Sequence, residues 1–440
     1  MRDYFFNLTE FVQNQIKGNE HFTCWFSAED SDFVRFNRGA IRQPGHVRQM
    51  YLNLHLIDGI RHANYSTTLG GNLNADNELI GHLVCSLRTQ LVDLPEDPYL
   101  LISTEVCSTE QIASTSLPPT NAIVDDIMIL AQSHDFVGIL AAGSIYRGFA
   151  NSYGQRNWHQ TSSFNIDWSL YQGNDNAVKA TYAGFEWDSA QFKEKHFNAV
   201  SQLAIFNHEP IQVKLGAYRA YLAPAAFYEM VSMLNWEGLS EKSLRTKQSS
   251  LRRMRNEGLQ LNSAISLSEN TAEGMSPGFQ TEGFIKPQCI KLIENGVLTG
   301  SMVSPRTAKE YGVATNGAEV SEMLVSIDVQ PGELPMSQVL GELDRGLYIS
   351  NLWYLNYSDR SNCRITGMTR FATFWVENGE IKAPVKVMRF DDSLFRLLGE
   401  NLISLTNERE LLVDSESYGH RGTNSMRLPG ALVKDFNFTL

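Results

Sequence analysis

Cysteine is scarce in this sequence of 440 residues, and its positions lie far apart. The five cysteines form no CxxC pair, and an odd number cannot all pair in a disulfide framework. Free thiols are typical of a reducing compartment, so we expect a cytoplasmic protein. No apolar run approaches the roughly 20 residues that a membrane helix needs, and residues 1–22 lack the apolar core of a signal peptide. These absences predict no membrane partner.

Positive charge is also in short supply. Lys and Arg total 37 against 49 Asp and Glu, which gives a net charge of −12. Nonspecific binding to nucleic acid needs a dense positive field, so this balance argues against it. Residues 241–254 are locally basic, and a nucleic-acid contact there is one interpretation. A solvated helix on an acidic protein is the favoured one, and we predict no nucleic-acid partner.

Common motifs of cofactor and metal chemistry are missing as well. The sequence contains no GxGxxG or GxxxxGK[ST] loop for phosphates, no GxSxG nucleophile elbow and no HExxH pair of zinc ligands. His208 and Glu209 are followed at once by Pro210, which interrupts a helix. Nucleotide binding and a serine-hydrolase site are therefore unsupported.

Two pairs of titratable residues leave alternatives open. His55 and His62 flank a predicted turn and could face each other across a hairpin, although two exposed histidines are the commoner outcome. Asp391 and Asp392 could act as general acid and base. A charged loop that caps a helix starting at Ser393 is the favoured interpretation, because acids stabilise a helix N-terminus.

The length of the chain predicts two or three domains, and its composition is that of a globular protein. In the first half the pattern predicts, in order, a helix at 4–18, strands at 21–27, 33–42, 47–58 and 60–69, and a helix at 74–94. This order favours an α+β domain at 1–208 with helices on one face of an antiparallel sheet.

Strands dominate the prediction for the second domain, residues 209–440. Asn295-Gly296 and Asn378-Gly379 accept the positive φ angles of tight hairpin turns. A helix is expected at 223–236, because Pro224 at an early helical position costs no hydrogen bond. So many strands predict a strongly curved, barrel-like, β-rich domain, and the whole chain is assigned to the α+β class.

Two polar stretches, residues 358–369 and the Gly-rich stretch 315–318, are predicted to be loops that a binding site could use. Glycine lets the backbone approach a ligand closely, and the planar forks of arginines suit a peptide carboxylate. The candidates for peptide binding or for a subunit interface are Arg360, Arg364, Gly367, Thr315, Asn316 and Gly317. Loops that merely face solvent or build an interface are an equally open alternative.

The sequence also resembles a known family over most of its length. The most specific stretches are KLIENGVLTGSMVSPRTAKEYGVATNG at 291–317 and TGMTRFATFWVENGEI at 366–381, which resemble the TldD/PmbA family and its TldE (PmbA) branch. The resemblance implies a heterodimeric zinc protease that degrades or matures unfolded peptides, with links to peptide-antibiotic maturation and antitoxin turnover. In that pair the TldD-type subunit binds zinc through an HExxxH helix and a C-terminal Cys.

The chain departs from the TldD-type pattern at both zinc-binding positions. The stretch that matches the HExxxH helix, residues 225–234, has Glu229 but no histidine, and residues 418–430 contain no cysteine. One carboxylate cannot replace the three protein ligands of a catalytic zinc. The resemblance therefore implies a TldE-like subunit with no catalytic residue, metal or cofactor of its own.

The partners that the resemblance implies are a TldD-type catalytic subunit that carries the zinc, unfolded peptide substrates, and a second copy of the chain when it is alone. An extended peptide would be held by strand addition near the partner's metal, because main-chain hydrogen bonds bind without regard to sequence. Two alternatives stay open: a stand-alone peptide-binding scaffold of the same fold, and an independent hydrolase with an unrecognised site.

Overall fold

The computed structural model describes residues 1–113, 116–173, 176–414 and 419–439. The helices are α1 (Arg2–Gln15), α2 (Leu73–Leu91), α3 (Thr120–Ala131), α4 (Ser189–Ile205), α5 (Pro224–Leu234), α6 (Glu241–Arg245), α7 (Arg252–Glu257), α8 (Pro305–Tyr311), α9 (Val339–Leu343) and α10 (Leu394–Leu397). The strands of the first half are β1 (Glu20–Asn37), β2 (Ala40–Asp58), β3 (Arg61–Thr68), β4 (Thr109–Ile112), β5 (Asp135–Asn151), β6 (Arg156–Gln172) and β7 (Asn176–Gly184). Those of the second half are β8 (Gly216–Leu222), β9 (Leu267–Asn270), β10 (Cys289–Glu294), β11 (Val297–Leu298), β12 (Ser326–Val329), β13 (Gly346–Asp359), β14 (Arg364–Glu377), β15 (Glu380–Pro384), β16 (Arg389–Ser393), β17 (Leu402–Val413) and β18 (Ser425–Phe438).

The first sheet has the strand order β3-β2-β1-β5-β6-β4, and β7 also pairs with β6. Every pair is antiparallel except β4 with β6. The predicted strands 21–27 and 33–42 are wrong in one respect, because β1 runs without a break from Glu20 to Asn37. The chain then turns at Arg38 and Gly39, which both have positive φ angles. Polar residues in the middle of β1 interrupt its apolar pattern, so the sequence resembled two shorter strands.

Helices cover one face of this sheet, as the sequence predicts. Phe5 of α1 stacks on Phe26 of β1, with 5.1 Å between ring centroids, and Phe192 of α4 packs edge-on against Trp168 of β6. Apolar residues of α1 and α2 and of α3 and α4 form two separate clusters on that face. The opposite face is polar yet buried under the second half of the chain, with Glu29, Ser31, Arg147, His159 and Ser163.

The second sheet has the order β11-β10-β9-β12-β18-β16-β14-β13-β8, with β15 beside β14 and β17 beside β18. Strand β8 pairs with both β13 and β18. Strands β18, β16, β14, β13 and β8 therefore form a closed ring of pairings. This closure confirms the prediction of a strongly curved, β-rich second half.

Helix α5 packs within the curl of the second sheet. Its residues Phe227, Met230 and Leu234 belong to the same buried cluster as Leu347 of β13 and Leu428 of β18. Pro224 stands at the first helical position, as predicted. The predicted domain boundary, between residues 208 and 209, falls in the segment that connects α4 to β8. That the chain divides into two domains at this point stays a prediction.

The hairpin predictions are confirmed and one loop prediction is wrong. Asn295-Gly296 and Asn378-Gly379 both have positive φ angles and connect β10 to β11 and β14 to β15. Most of residues 358–369, in contrast, lie in strands. Strand β13 ends at Asp359, a short 3-10 turn spans Arg360–Asn362, and β14 begins at Arg364. The basic stretch 241–254 forms the short helices α6 and α7 rather than one helix.

None of the helices in the described ranges combines the length and apolar character that crossing a bilayer requires.

Candidate functional site

Helix α5 brings a carboxyl group to the junction between the two sheets. The apolar residues of the helix face the second core, and Glu229 lies half-buried outside it. Burial raises the pKa of Glu229, and Lys179 of β7 opposes that rise. A buried carboxyl group with a raised pKa holds its proton more tightly than a free one, which makes Glu229 a candidate for acid–base chemistry.

The residues of α5 do not fit a zinc ion. The helix supplies Glu229 but no histidine or cysteine, whereas a catalytic zinc takes three protein ligands. In the ranges given above, no three His, Cys, Asp or Glu side chains converge in a way that would hold a metal ion.

Polar side chains of the first sheet share the face that carries Lys179, whose charge acts on Glu229. Because side chains alternate along strands, Asp167 and Ser169 of β6 lie on the same face as Thr181 and Lys179 of β7, with which they pair. Asn165 lies on that face too, and its buried amide oxygen has no hydrogen-bond partner among the described residues. We call this region the α5–β7 junction. Its amides, hydroxyls and charges can hydrogen-bond the main chain of a peptide.

Arg360 lies outside this junction, in the 3-10 turn that follows β13. Its guanidinium donates to the carbonyl of Trp236 over 2.5 Å and pairs with Glu237 at 3.1 Å. It also lies over the ring of Tyr357, 5.5 Å from the centroid. Arg360 thus attaches the turn to the segment that follows α5.

Arg364 and Gly367 lie in strand β14 and not in a loop. The Arg364 guanidinium pairs with the carboxylate of Asp391 and donates to the Asp391 carbonyl over 3.2 Å. A Cβ atom at Gly367 would lie 2.8 Å from the Phe390 ring and 2.9 Å from Leu355. Close packing within the sheet explains the glycine without any ligand. Asp391 and Asp392 lie in β16, where Asp392 pairs with Arg396 of α10.

Thr315, Asn316 and Gly317 form a clamp on another part of the same chain. The Thr315 hydroxyl donates to the carbonyl of Val303 over 2.7 Å. The Asn316 side chain donates to the carbonyl of Ser301 and accepts from the amide of Val303. Gly317 has a φ of +71°, and a Cβ atom there would lie 3.1 Å from a backbone oxygen. Among the described residues, no hydrogen bond or ion pair links this clamp to Arg360 or Arg364. The role of all six candidates in peptide binding or assembly stays a prediction.

Sequence reasoning missed a buried contact between the two halves. Arg421, just before β18, donates to the hydroxyls of Ser163 at 2.8 Å and Ser31 at 3.3 Å. Arg147 of β5 donates to the carbonyl of Arg421, and Glu29 lies beside both guanidinium groups. Burial lowers the pKa of each arginine to about 10. No pattern in the sequence marks a single arginine of this kind. The segment 418–430 contains it, although Tyr418 lies outside the described residues.

A second missed group is a set of charges at the loop before β10. Lys286 is buried and donates to Glu319 at 2.9 Å. Glu269 is fully buried and accepts two backbone N–H groups through one oxygen. Burial, with Glu319 nearby, raises the pKa of Glu282 to about 7. Gly317 packs against the backbone beside Lys286, so the clamp supports this cluster.

Solved structures of the same architecture show which fold this protein has. TldE of Thermococcus kodakarensis matches with a TM-score of 0.78 at 14% identity and covers 99% of this chain and 100% of its own. A Thermotoga maritima protein, described as a proposed modulator of a DNA gyrase, has a TM-score of 0.75 at 15% identity, with 99% of both chains covered. A Bacteroides thetaiotaomicron protein of the same description reaches 0.73 at 14% identity, with 99% of this chain and 98% of that chain covered. At such identities the matches show a shared α+β fold.

The family follows from the sequence of the second half. The sequence model of the PmbA/TldA metallopeptidase C-terminal domain matches residues 215–440, which is just over half of the chain. The chain therefore belongs to the PmbA/TldA metallopeptidase family, and the family prediction is confirmed. No curated protein matches the sequence significantly.

Proposed function

We propose that this protein is the noncatalytic, TldE-type subunit of a cytoplasmic heterodimeric metallopeptidase that degrades or matures unfolded peptides. The observation that carries the proposal is the composition of α5. This helix belongs to the matched family domain, yet it offers Glu229 and neither a histidine nor a cysteine. A partner of the TldD type would supply the zinc and the reacting groups.

The role left to this chain is to hold the peptide. The α5–β7 junction has polar groups that can pair with a peptide main chain, and Glu229 and Lys179 give it both signs of charge. An unfolded substrate has free N–H and C=O groups along its whole length, so binding through the main chain accepts many sequences. Arg360, Arg364 and the clamp at 315–317 remain proposed contacts for the peptide or the partner.

A direct action on DNA is less well supported. Two structural neighbours are described as proposed gyrase modulators, and that description applies to those proteins. The net charge of −12 on this chain opposes a nonspecific DNA contact. A peptidase complex that acts on a protein would need no such contact.

The test is a peptidase assay on an unfolded substrate, such as reduced and alkylated casein. The purified chain would be assayed alone, with a co-purified TldD-type subunit, and with that subunit after EDTA treatment. We expect cleavage only with the partner and loss of that cleavage in EDTA. Cleavage by the chain alone that survives EDTA would support an independent hydrolase instead.

The second candidate is a stand-alone peptide-binding scaffold of the same fold. It is favoured by the many internal partners of Arg360, Arg364 and Asn316, which make a stable framework without any second subunit. Binding of the unfolded substrate with no cleavage in any combination, and no association with the TldD-type subunit, would identify this function.

A further inference from the structure

The hairpin of β13 and β14 presents an exposed face of aromatic and cationic side chains. Trp353 of β13 pairs with Met368 of β14, which pairs in turn with Arg389 of β16, so the three lie in one row across the sheet. Arg370 follows Met368 on the same face, because alternate residues of a strand point the same way. The exposed fractions are 44% for Trp353 and 76% for Tyr354. We call Trp353, Tyr354, Met368, Arg370, Phe371 and Arg389 the Trp353 face.

The backbone is distorted where this face lies. Tyr354 and Phe371 both have a φ of +57°, and the register of β13 against β14 shifts beside each of them. A left-handed backbone is unfavourable for bulky side chains and persists where the surroundings or a function demand it. Its effect here is to place the Tyr354 ring 5.5 Å from that of Trp353, so two consecutive residues of one strand form a joint aromatic surface.

Two arginines that have no carboxylate partner among the described residues border this aromatic surface. The Arg370 guanidinium lies 4.9 Å from the centre of the Trp353 ring and 5.7 Å from that of Phe371. Arg389 donates to the hydroxyl of Thr366 at 3.1 Å. Within the described part of the chain neither guanidinium forms an ion pair, although the protein has 12 more acidic than basic side chains. The face is thus locally positive on an acidic protein.

We propose that the Trp353 face binds extended, acidic peptide segments. An apolar side chain of the peptide would lie on Trp353 and Tyr354, and neighbouring carboxylates would pair with Arg370 and Arg389. Tryptophan, tyrosine and arginine are the residues that contribute most to protein–protein binding. The face holds six residues, whereas a stable interface between folded proteins uses about 20–30 on each side, so a peptide segment is its natural occupant. This inference rests on the proposed function and names the substrate class that the complex would favour.

The experiment uses the purified full chain and three fluorescent synthetic peptides in an anisotropy assay. The peptides share one central phenylalanine and differ only in flanking glutamates, glutamines or lysines. We expect the glutamate peptide to bind about tenfold more tightly than the glutamine peptide, and that advantage should shrink as salt is raised. The lysine peptide should bind least well.

Three variants and one control locate the binding. Arg370→Glu and Trp353→Ala should each weaken binding of the glutamate peptide about tenfold or more. Arg370→Lys keeps the charge but loses the planar stack on Trp353, so an intermediate affinity is expected. Lys434→Glu makes the same charge change at an exposed position of β18 and should leave binding unchanged. Both changed side chains on the face are exposed, so circular dichroism should show intact folding.

Equal binding of the three peptides would overturn the proposal, as would equal losses in Arg370→Glu and Lys434→Glu. Displacement of the peptide by single-stranded oligonucleotide at lower concentration would assign the face to nucleic acid instead. Peptide binding here is measured without a partner, so it can fail while partner-dependent cleavage persists. Conversely, specific peptide binding without any cleavage would refute the peptidase proposal and leave this one standing.

Discussion

The guanidinium of Arg421 donates a 2.8 Å hydrogen bond to the hydroxyl of Ser163, which lies 258 residues earlier in the chain. The same guanidinium also donates to the carbonyls of Ser163 and Gly143 and to the hydroxyl of Ser31. It therefore bonds to three strands of the first sheet, β6, β5 and β1. The loop at 419–424 is thereby attached to the polar face of that sheet. The two halves of the chain are joined through a buried cation and not through apolar packing alone.

Arg421→Met should destabilise the protein by about 3 kcal/mol. The methionine keeps most of the volume, but the buried oxygens of Ser163, Ser31 and Gly143 lose their donor. Urea unfolding followed by tryptophan fluorescence measures the change. Arg42→Met, at an exposed position of β2, is the matched control and should change the free energy of unfolding by less than about 0.5 kcal/mol. An equal effect of both variants would contradict this account of Arg421.

The contribution of Glu282 to stability should fall as the pH rises from about 5 to 8, because the folded state raises the pKa of Glu282 to about 7. An acid with a raised pKa binds its proton more tightly when folded. Its contribution to stability is therefore full below its unfolded pKa and disappears as pH rises through the folded pKa. Glu282→Gln should remove this dependence and stabilise the protein at pH 8 by up to about 3 kcal/mol. Free energies of unfolding at both pH values test this, with the exposed Glu333→Gln as a control that should keep the wild-type dependence.

Gly367→Ala should destabilise the protein by about 1 to 3 kcal/mol, because the added methyl group would meet the Phe390 and Leu355 side chains at under 3 Å. Gly341→Ala, in the exposed part of α9, meets nothing within 4 Å and should stabilise by about 0.5 kcal/mol. Thermal unfolding of the two variants should therefore shift in opposite directions. If Gly367→Ala left the stability unchanged but abolished peptide binding, Gly367 would be a ligand contact instead.

Asn316→Ala should cost about 2 kcal/mol, since it leaves the carbonyl of Ser301 and the amide of Val303 without their partners. The exposed Gln248→Ala is a suitable control with little expected effect. Thermal unfolding gives the stability, and peptide anisotropy gives the binding. Unchanged stability with lost binding would show that Asn316 contacts the peptide directly.

Glu229→Gln should leave partner-dependent cleavage within about twofold of the wild type, because the proposed function gives this carboxyl group no part in the chemistry. A general acid or base contributes about 100-fold or more to a rate, so the two roles are well separated. The rate would be measured on the reconstituted pair at saturating substrate. A loss of that size with intact assembly would make Glu229 a catalytic residue of this chain.

Local chemistry explains the predictions that succeeded. Asn378-Gly379 forms its turn because both residues tolerate positive φ angles, whatever surrounds them. Pro224 begins α5 because a missing N–H costs nothing in the first helical turn. Apolar periodicity over many residues placed α1 and α2 on the first sheet.

Contacts between distant residues explain what was missed. Arg364 and Thr366 begin a strand although they are polar, because only one face of β14 is buried. His55 and His62 face each other across the β2–β3 hairpin at 2.8 Å, which was the less favoured of two alternatives, and His62 also reaches Asp97 at 3.1 Å. Asp97 lies in the segment after α2, and the hairpin pattern gave no sign that this segment would reach His62.

The sequence by itself determined the α+β class, the hairpin turns, the start of α5, the acidic charge and the family to which the chain belongs. The class, the turns and the helix start depend on backbone preferences and apolar periods that act within a few residues, whereas the charge and the family follow from the residues themselves. Only the tertiary structure decided that Arg360, Arg364 and the clamp at 315–317 are bonded to their own chain, that the charge of Lys179 acts on Glu229, and that Arg421 joins the two halves. Burial and long-range pairing set these partners, because the energy of a polar side chain depends on which distant groups exclude water from it.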